Sequence, residues 1–177
     1  MNKVAIQNAE DSRFSAFWKI YNSSFPLNER RSLDDQIRVL LNSDYCLEVW
    51  IDNSETIAGL IGWWNCGDLR FVEHFAISPD FRSAGFGSRF LSAWIAESKT
   101  TVLLEIEPIT DETTKRRQNF YKRLGFVDNN IVYFQPPYHK TTQEIKLLLM
   151  SYPKPISNDC YERFKLKQQT EIMAIFD

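Results

Sequence analysis

The sequence has little that would suit a nucleic-acid binder or a membrane protein. Lys plus Arg number 21 and Asp plus Glu 23, so the formal net charge is −2 and the basic excess of a dedicated nucleic-acid binder is missing. No apolar run approaches the length of a membrane span, and the first residues carry no long apolar stretch. We therefore expect neither a nucleic-acid nor a membrane partner, and no signal peptide.

Cysteine is also scarce, with three residues at Cys46, Cys66 and Cys160. Their odd number argues against a closed disulfide framework, and their separation argues against a metal knuckle. We expect reduced, structural thiols in a cytoplasmic protein that binds no metal. Repeats, low-complexity tracts and Pro/Gly/Ser-rich linkers are missing too, so the 177 residues predict a single domain over 1–177.

What the sequence does have is an alternation of strand-like and helix-like segments, which indicates an α/β (α+β) domain. The predicted strands are Val4–Gln7, Tyr45–Asp52, Thr56–Trp64, Leu69–Ser78, Val102–Glu107, Phe126–Phe134 and Glu144–Tyr152. The predicted helices cover Phe14–Phe25, a segment capped by Ser32, a segment starting near Gly85, one from Thr110 or Asp111 to Leu124 before Gly125, and one from about Ser157. The unit over 69–107 predicts a right-handed parallel crossover between its two strands.

One loop carries a candidate anion site. The segment Arg82-Ser83-Ala84-Gly85-Phe86-Gly87-Ser88 leads from a predicted strand into a predicted helix. Its glycines allow a close backbone approach, and the unpaired N–H groups at a helix start attract an anion such as a pyrophosphate. Taken alone, the pattern is equally typical of a strand-to-helix turn that binds nothing.

Two other phosphate-binding motifs do not fit this loop. A Walker loop ends in Gly-Lys-Ser/Thr, whereas Gly87 is followed here by Ser88 and Arg89. A Rossmann fingerprint requires a third small residue where this chain has Phe90.

Two segments together resemble the GNAT N-acetyltransferases. One is Arg-x-x-Gly-x-Gly after a strand ending Ala-Ile-Ser-Pro, and the other is the stretch 116–126, in which Tyr121 precedes the pair Gly125-Phe126. They occur in the family's order and at a compatible separation. The resemblance implies a mixed, mostly antiparallel sheet with a central splayed parallel strand pair, flanking helices and, here, an extra C-terminal helix. It is compatible with a homodimer.

The resemblance also implies acetyl-CoA as the acyl donor and an amine, on a small molecule or a protein, as the acceptor. The pantetheine arm is expected on the backbone of Phe75, Ala76 and Ile77. The remaining cofactor-binding residues are expected to be Arg82, Ser83, Ala84, Gly85, Phe86, Gly87, Ser88 and Asn119. One departure is Thr114, which stands where part of the family has an Asn that accompanies CoA binding.

Direct transfer to an amine needs a base for the ammonium proton and an acid for the leaving sulfur. Glu73 is the candidate base, and strand alternation places it on the face of Ile77 and opposite His74. Its alternative is a solvent-facing residue or a salt-bridge partner. Tyr121 matches the family's helix Tyr and is the candidate acid, with core packing as its alternative.

The charge of the acceptor site is left open by the sequence. Glu105 and Glu107 share a strand face and would favour a cationic amine, or they pair with Arg116 or Arg117. The Arg30-Arg31 pair would instead attract an acidic acceptor. Two functional alternatives also remain: a GNAT-like domain that binds CoA without catalysis, and transfer of an acyl group longer than acetyl.

Overall fold

The computed structural model describes residues 1–82 and 85–173. Ser83 and Ala84 of the candidate anion loop lie outside the described residues. The described strands are β1 (Asn2–Ala5), β2 (Tyr45–Ile51), β3 (Ile57–Asn65), β4 (Leu69–Ile77), β5 (Thr101–Ile106), β6 (Val127–Asp128), β7 (Tyr133–Gln135) and β8 (Ile145–Tyr152). The described helices are α1 (Phe14–Ser24), α2 (Leu33–Val39), α3 (Phe86–Glu97), α4 (Glu112–Arg123) and α5 (Asn158–Lys167). Within these ranges, no helix has the length and apolar character needed to cross a membrane.

The strands form a mixed sheet in the order β1-β2-β3-β4-β5-β8-β6, and β7 also pairs with β8. The pairing of β4 with β5 is parallel, and the other pairings are antiparallel. This is the mostly antiparallel sheet with a central parallel pair that the resemblance implies. The helix α3 makes the crossover between the two parallel strands, as predicted from residues 69–107.

The parallel pair separates after only four residue pairs. Pairing runs from Leu69 opposite Thr101 to Val72 opposite Leu104, yet β4 continues to Ile77. The last five residues of β4 therefore have β3 on one side, and no strand of the described ranges pairs with them on the other. Because N–H and C=O groups alternate between the two edges of a strand, some backbone groups of this segment face the gap.

A β-bulge lies where the two strands begin to separate. On β3, Gly62 faces His74 and Trp63 faces Val72, so Glu73 is the extra residue on β4. Glu73 and His74 consequently point to the same face of the sheet, and both lie against residues of the face that α1 covers. The sequence prediction from strict alternation, which puts His74 opposite Glu73, is wrong because of this bulge.

Two apolar clusters cover the two faces of the sheet. The first contains Phe17 of α1, Trp64 of β3 and Phe164 of α5. The second contains Trp94 of α3 and Tyr121 of α4. Ile77 packs against the second cluster, so the bulge also separates Glu73 from Ile77, contrary to the sequence prediction.

The helix ends largely follow the sequence signals. Ser32 accepts a hydrogen bond from the backbone N–H of Asp35, as expected of an N-cap. Asp111 and Thr114 form a reciprocal capping box at the start of α4. Thr114 therefore has a structural task at the position where part of the family has Asn. Gly125 follows α4 with φ 90°, a conformation that favours glycine.

The predicted single strand Phe126–Phe134 is wrong, since two short strands flank an irregular segment. Asn129, buried in that segment, donates through its side chain to Ser151 Oγ at 2.9 Å and accepts from the backbone N–H of Ile156 at 2.9 Å. These bonds compete with ladder pairing and interrupt the strand. At the other end of the chain, α5 continues into a π-helical turn, Gln168–Ile172.

Candidate active site

The divergence of β4 and β5 opens a cleft of about 480 Å³. Residues 72–77 of β4 form one wall and residues 104–107, from β5 and just beyond it, form the other. The end of α1 and the loop after it close one side, and Arg117 and Tyr121 of α4 reach the cleft from the other. The gap between two strands therefore becomes a pocket lined by polar and acidic side chains.

The predicted cofactor-binding residues of β4 line this cleft. Phe75, Ala76 and Ile77 all contribute to its wall. Arg82 also lines it and donates from Nε to the carbonyl oxygen of Ile77 at 3.1 Å. The start of α3 packs against the same strand end, because a Cβ on Gly87 would lie 3.3 Å from Ile77 Cγ1. The candidate anion loop thus adjoins the open edge of β4.

The start of α3 carries no capping side chain. Gly85 precedes the helix with φ 70°. A Cβ built on Gly85 would meet no atom within 4 Å, so space for a ligand lies in front of the backbone there. The first N–H groups of a helix with no capping side chain are donors for a phosphate.

Asn119 does not line the cleft, and neither do the predicted cofactor residues 85–88 at the start of α3. Asn119 is exposed on α4, and two residues along a helix separate it from Tyr121 by about 200° around the axis. Its neighbour Phe120 points toward the end of β4 and the start of α3 instead: its ring stacks at 6.4 Å from Phe75 and lies 3.7 Å from a Cβ built on Gly87.

Tyr121 lies in the third turn of α4 and lines the cleft. Its ring packs edge-on against Phe120 at 5.1 Å and Phe126 at 5.6 Å. Burial raises the pKa of its phenol to about 12, which keeps it protonated at neutral pH. Its hydroxyl has no hydrogen-bond partner among the described residues. Tyr121 therefore combines the predicted core packing with a proton donor open to a ligand.

Glu73 is fully occupied by partners. Arg31 Nη1 lies 2.7 Å from its Oε2, which also accepts from Trp64 Nε1 at 2.9 Å. Tyr138 donates its hydroxyl to Oε1 at 2.9 Å. Burial by itself would raise the pKa of Glu73, but the Arg31 guanidinium, His74 and the hydrogen bond from Trp64 together outweigh burial and lower that pKa. A carboxylate with this many donors and a lowered pKa is a weak base, and the salt-bridge alternative for Glu73 is the one observed.

His74 is buried beside Glu73, with its Nδ1 3.7 Å from Glu73 Oε2. Its Nε2 lies 2.9 Å from the carbonyl oxygen of Glu29, so Nε2 carries the hydrogen and donates it. Burial lowers the pKa of His74 to about 4, and the ring is neutral at physiological pH. Its visible task is to hold the loop after α1 against the sheet.

Glu105 is the functional candidate whose chemistry sequence reasoning missed. Its side chain lines the cleft, and its Oε1 accepts from the Tyr133 hydroxyl and from Gln168 Nε2, the latter at 3.0 Å. Burial raises the pKa of Glu105 to about 8. Its Oε2 has no partner among the described residues. Nothing in the local sequence signals this desolvation, because the burying residues come from distant segments.

The charges at the mouth of the cleft are mainly acidic. Glu107 forms an ion pair with Arg117, which confirms the sequence alternative for this residue. Among the described residues, Glu105 has Tyr133 and Gln168 as partners instead of an arginine. Glu29 is half-buried at the cleft, and burial together with the Glu107 charge raises its pKa. Arg31 is buried against Glu73, so it does not present a free cation to an acceptor.

Comparison with known proteins agrees with this geometry. Residues 44–128 match the family model of the acetyltransferase (GNAT) domain. A solved structure from Bacteroides thetaiotaomicron, named as an acetyltransferase of the GNAT family, is 28% identical with a TM-score of 0.88, covering 99% of this chain and 100% of that one. The curated proteins contain no significant sequence match.

Two further solved structures share the fold at lower identity. The ribosomal-protein-S18-alanine N-acetyltransferase of Escherichia coli is 17% identical with a TM-score of 0.64, covering 89% of this chain and 96% of that one. The spermidine N-acetyltransferase of Vibrio cholerae, solved with CoA and spermine, is 14% identical with a TM-score of 0.63, covering 85% and 93%. The sheet order, the splayed strand pair, the match to the domain model and the likeness to the Bacteroides structure together identify a GNAT acetyltransferase domain in this chain.

Proposed function

We propose that this protein transfers an acetyl group from acetyl-CoA to the amine of a cationic acceptor. The observation that carries the proposal is the cleft where β4 and β5 diverge, since it places a free strand edge, the phenol of Tyr121 and the carboxyl of Glu105 around one space. A thioester entering along β4 and an amine entering from the acidic mouth would meet between those two side chains.

The donor half of the cleft suits acetyl-CoA. The open edge of β4 at Phe75, Ala76 and Ile77 offers backbone groups to the amide-bearing pantetheine arm. The uncapped start of α3, from Gly85 to Ser88, and the charge of Arg82 suit the pyrophosphate. Ser83 and Ala84 complete that loop in the sequence and belong to the same proposal.

Three proton transfers accompany direct acetyl transfer. The acceptor ammonium gives a proton to Glu105, and the amine nitrogen then attacks the thioester carbon to form a C–N bond. When the C–S bond breaks, Tyr121 gives its proton to the leaving sulfur, and the nitrogen loses its second proton to solvent. A base with a pKa near the working pH is best matched to this task, and the pKa of about 8 makes Glu105 a better base than Glu73.

The acceptor is proposed to be an amine that is cationic in solution, because Glu29 and Glu107 line the cleft beside Glu105, whose carboxyl is ionised above a pH of about 8. Arg117 offsets Glu107 only, and Arg31 is held by Glu73. Arg82, the other cation of the lining, belongs to the proposed donor end. A primary amine of a small molecule or of a protein fits this charge. The Vibrio cholerae spermidine N-acetyltransferase holds spermine, so polyamines belong among the first acceptors to try.

A non-catalytic CoA-binding domain is the alternative function. It leaves unexplained why a phenol with a free hydroxyl and a carboxyl with a raised pKa lie at the same cleft. Transfer of a longer acyl group is tested by offering propionyl-CoA and butyryl-CoA beside acetyl-CoA.

The direct test combines cofactor binding with product detection. Acetyl-CoA at about 100 times its dissociation constant should stabilise the fold by roughly 2.7 kcal/mol, whereas ATP should stabilise it much less. Thiol release is then followed with a polyamine, a lysine peptide, an N-terminal alanine peptide and a neutral amine, and products are identified by mass spectrometry. No stabilisation by millimolar acetyl-CoA would refute the donor, and tight binding without thiol release over the panel would favour the non-catalytic alternative.

A further inference from the structure

The C-terminal part of the chain reaches Glu105, a residue that lines the cleft, through Gln168. Gln168 begins the π-helical turn after α5, and its side chain is 1% exposed. It lies beside Tyr133 of β7, which is 2% exposed. Both residues lie beyond residue 128, where the match to the family model ends. Tyr133 and Gln168 therefore supply contacts from outside the part of the chain that matches the family model.

Tyr133, Gln168 and Glu105 form a closed triangle of hydrogen bonds. The Tyr133 hydroxyl donates to Oε1 of Glu105, and Gln168 Nε2 donates to the same oxygen at 3.0 Å. Gln168 Nε2 also donates to the hydroxyl oxygen of Tyr133. One carboxylate oxygen thus receives two donors, and Oε2 is left for the cleft.

We infer that Tyr133 and Gln168 are positioning residues for Glu105, holding Oε1 so that Oε2 faces the acceptor amine and favouring the ionised carboxylate in a buried setting. The inference rests on the proposed role of Glu105 as the base. It assigns the segment after β6, and the turn after α5 in particular, a part in acetyl transfer that the matched domain does not supply.

The electrostatics of the surroundings make these donors necessary. The titratable groups that face Glu105 are Glu73 of β4, Glu29 of the loop after α1, and the phenols of Tyr133 and Tyr138. Burial and the two neighbouring carboxylates raise the pKa of Glu105, whereas the bonds from Tyr133 and Gln168 lower it. Arg31, the nearby guanidinium, is engaged by Glu73. Removing either donor should therefore make the carboxylate harder to form.

The test uses Tyr133→Phe and Gln168→Leu, each of which deletes a donor while keeping most of the side-chain volume. Tyr161→Phe and Gln169→Leu are matched controls, because both residues line a separate groove and not the cleft. The rising limb of the pH–rate profile should move upward by about one pH unit in each donor variant and stay within about 0.2 unit in each control. All variants are measured with the same acceptor, so the titration of the acceptor amine contributes equally to each profile and does not affect the difference between them.

A second readout does not depend on turnover. Glutamate labelled with ¹³C at the carboxyl carbon gives an NMR titration of Glu105, assigned by its loss in Glu105→Gln. Its midpoint should rise in both donor variants, and an unchanged midpoint in folded protein would overturn the inference. If wild-type protein transfers acetyl to no amine, the proposed function fails while this titration still decides the positioning role. If Gln168→Leu does not fold, Tyr133→Phe carries the test.

Discussion

Arg31 and Glu73 form an ion pair inside the protein, with Nη1 2.7 Å from Oε2 and side chains that are 3% and 1% exposed. Arg31 also donates from Nη2 to the carbonyl oxygen of Ile172 at 2.6 Å. The rings of Tyr45 and Tyr138 lie 5.8 and 5.4 Å from its guanidinium carbon. The pair thus ties the loop after α1, the bulge in β4 and the C-terminal turn into one unit behind the cleft.

Removing Arg31 should destabilise the fold strongly. Arg31→Met leaves the Glu73 carboxylate buried without its partner, which costs about 3–5 kcal/mol. Urea unfolding followed by fluorescence measures the difference. Arg30→Met is the control, since Arg30 is half-buried and its side chain donates to the Phe25 carbonyl oxygen, and the substitution should cost about 1 kcal/mol. The double variant Arg31→Met/Glu73→Leu should recover most of the loss, and a loss below 1 kcal/mol in Arg31→Met would contradict the ion pair.

The same pair predicts how stability changes with pH. The pKa of Glu73 is lowered in the folded state, so its contribution is present above the pKa of an unfolded Glu, about 4.3. That contribution is lost as the pH falls through the lower, folded pKa. Acidification below about pH 4.3 should therefore reduce the unfolding free energy of the wild type more than that of the double variant. Parallel slopes for the two proteins would argue against this linkage.

A negative charge at the start of α3 should weaken acetyl-CoA binding. Gly85→Asp places a carboxylate beside the proposed pyrophosphate site, and we expect at least a tenfold loss of affinity by calorimetry. Gly85→Asn has the same shape without the charge and should lose much less. Gly67→Asp is the matched control for Gly85→Asp. Gly67 also has a positive φ (76°) and open space where a Cβ would lie, but it belongs to the turn after β3. Equal losses in Gly85→Asp and Gly67→Asp would place the pyrophosphate elsewhere.

Removing the Tyr121 hydroxyl should slow the chemical step and spare binding. Tyr121→Phe keeps the ring contacts with Phe120 and Phe126, so the fold should persist. Loss of a general acid lowers kcat by roughly 10²–10⁴-fold, while acetyl-CoA affinity should stay within about twofold. Tyr152→Phe serves as the control, because Tyr152 packs on Phe126 at 5.9 Å and does not line the cleft. Unchanged kcat in Tyr121→Phe would remove Tyr121 from the mechanism.

The pH dependence of activity should report Glu105 rather than His74. A base must be deprotonated, so kcat should rise as the pH increases through about 8, the raised pKa of Glu105. The His74 ring, with its pKa of about 4, is already neutral there. Glu105→Gln should abolish this limb and lower kcat at least a hundredfold. Glu107→Gln should change KM for the acceptor and leave the rise of kcat with pH in place. Repeating the profile with two acceptor amines of different pKa shows whether the rise belongs to the enzyme or to the acceptor.

Secondary-structure elements with strong local sequence signals could be predicted from the sequence. The N-caps at Ser32 and Asp111, the glycine after α4 and the parallel crossover through α3 all depend on residues close in sequence. The interruption between β6 and β7 could not be read, because Asn129 finds its partners at Ser151 and Ile156, more than 20 residues away.

The side-chain directions around the bulge show where strand periodicity fails to predict which face of the sheet a residue lies on. Alternation assumes that each residue on β4 has one partner on β3, and the register shift at Gly62 breaks that assumption at Glu73. As a result, the Glu73 side chain points toward Arg31 and Trp64. These contacts do not support the role of general base that the sequence predicted for it. A one-residue shift is decided by packing on both faces of the sheet, which no local pattern encodes.

The sequence by itself determined most of the elements and the family resemblance, and it predicted a donor site, because a glycine-bearing loop before a helix and a Tyr before Gly-Phe are local patterns. The tertiary structure alone decided which carboxyl is suited to be the base. Glu73 and Glu105 look alike in the sequence, yet one is neutralised by Arg31 and the other is buried without a cation. The free energy of an ionised carboxyl depends on burial and on neighbouring charges, and those are set by residues brought together from distant parts of the chain.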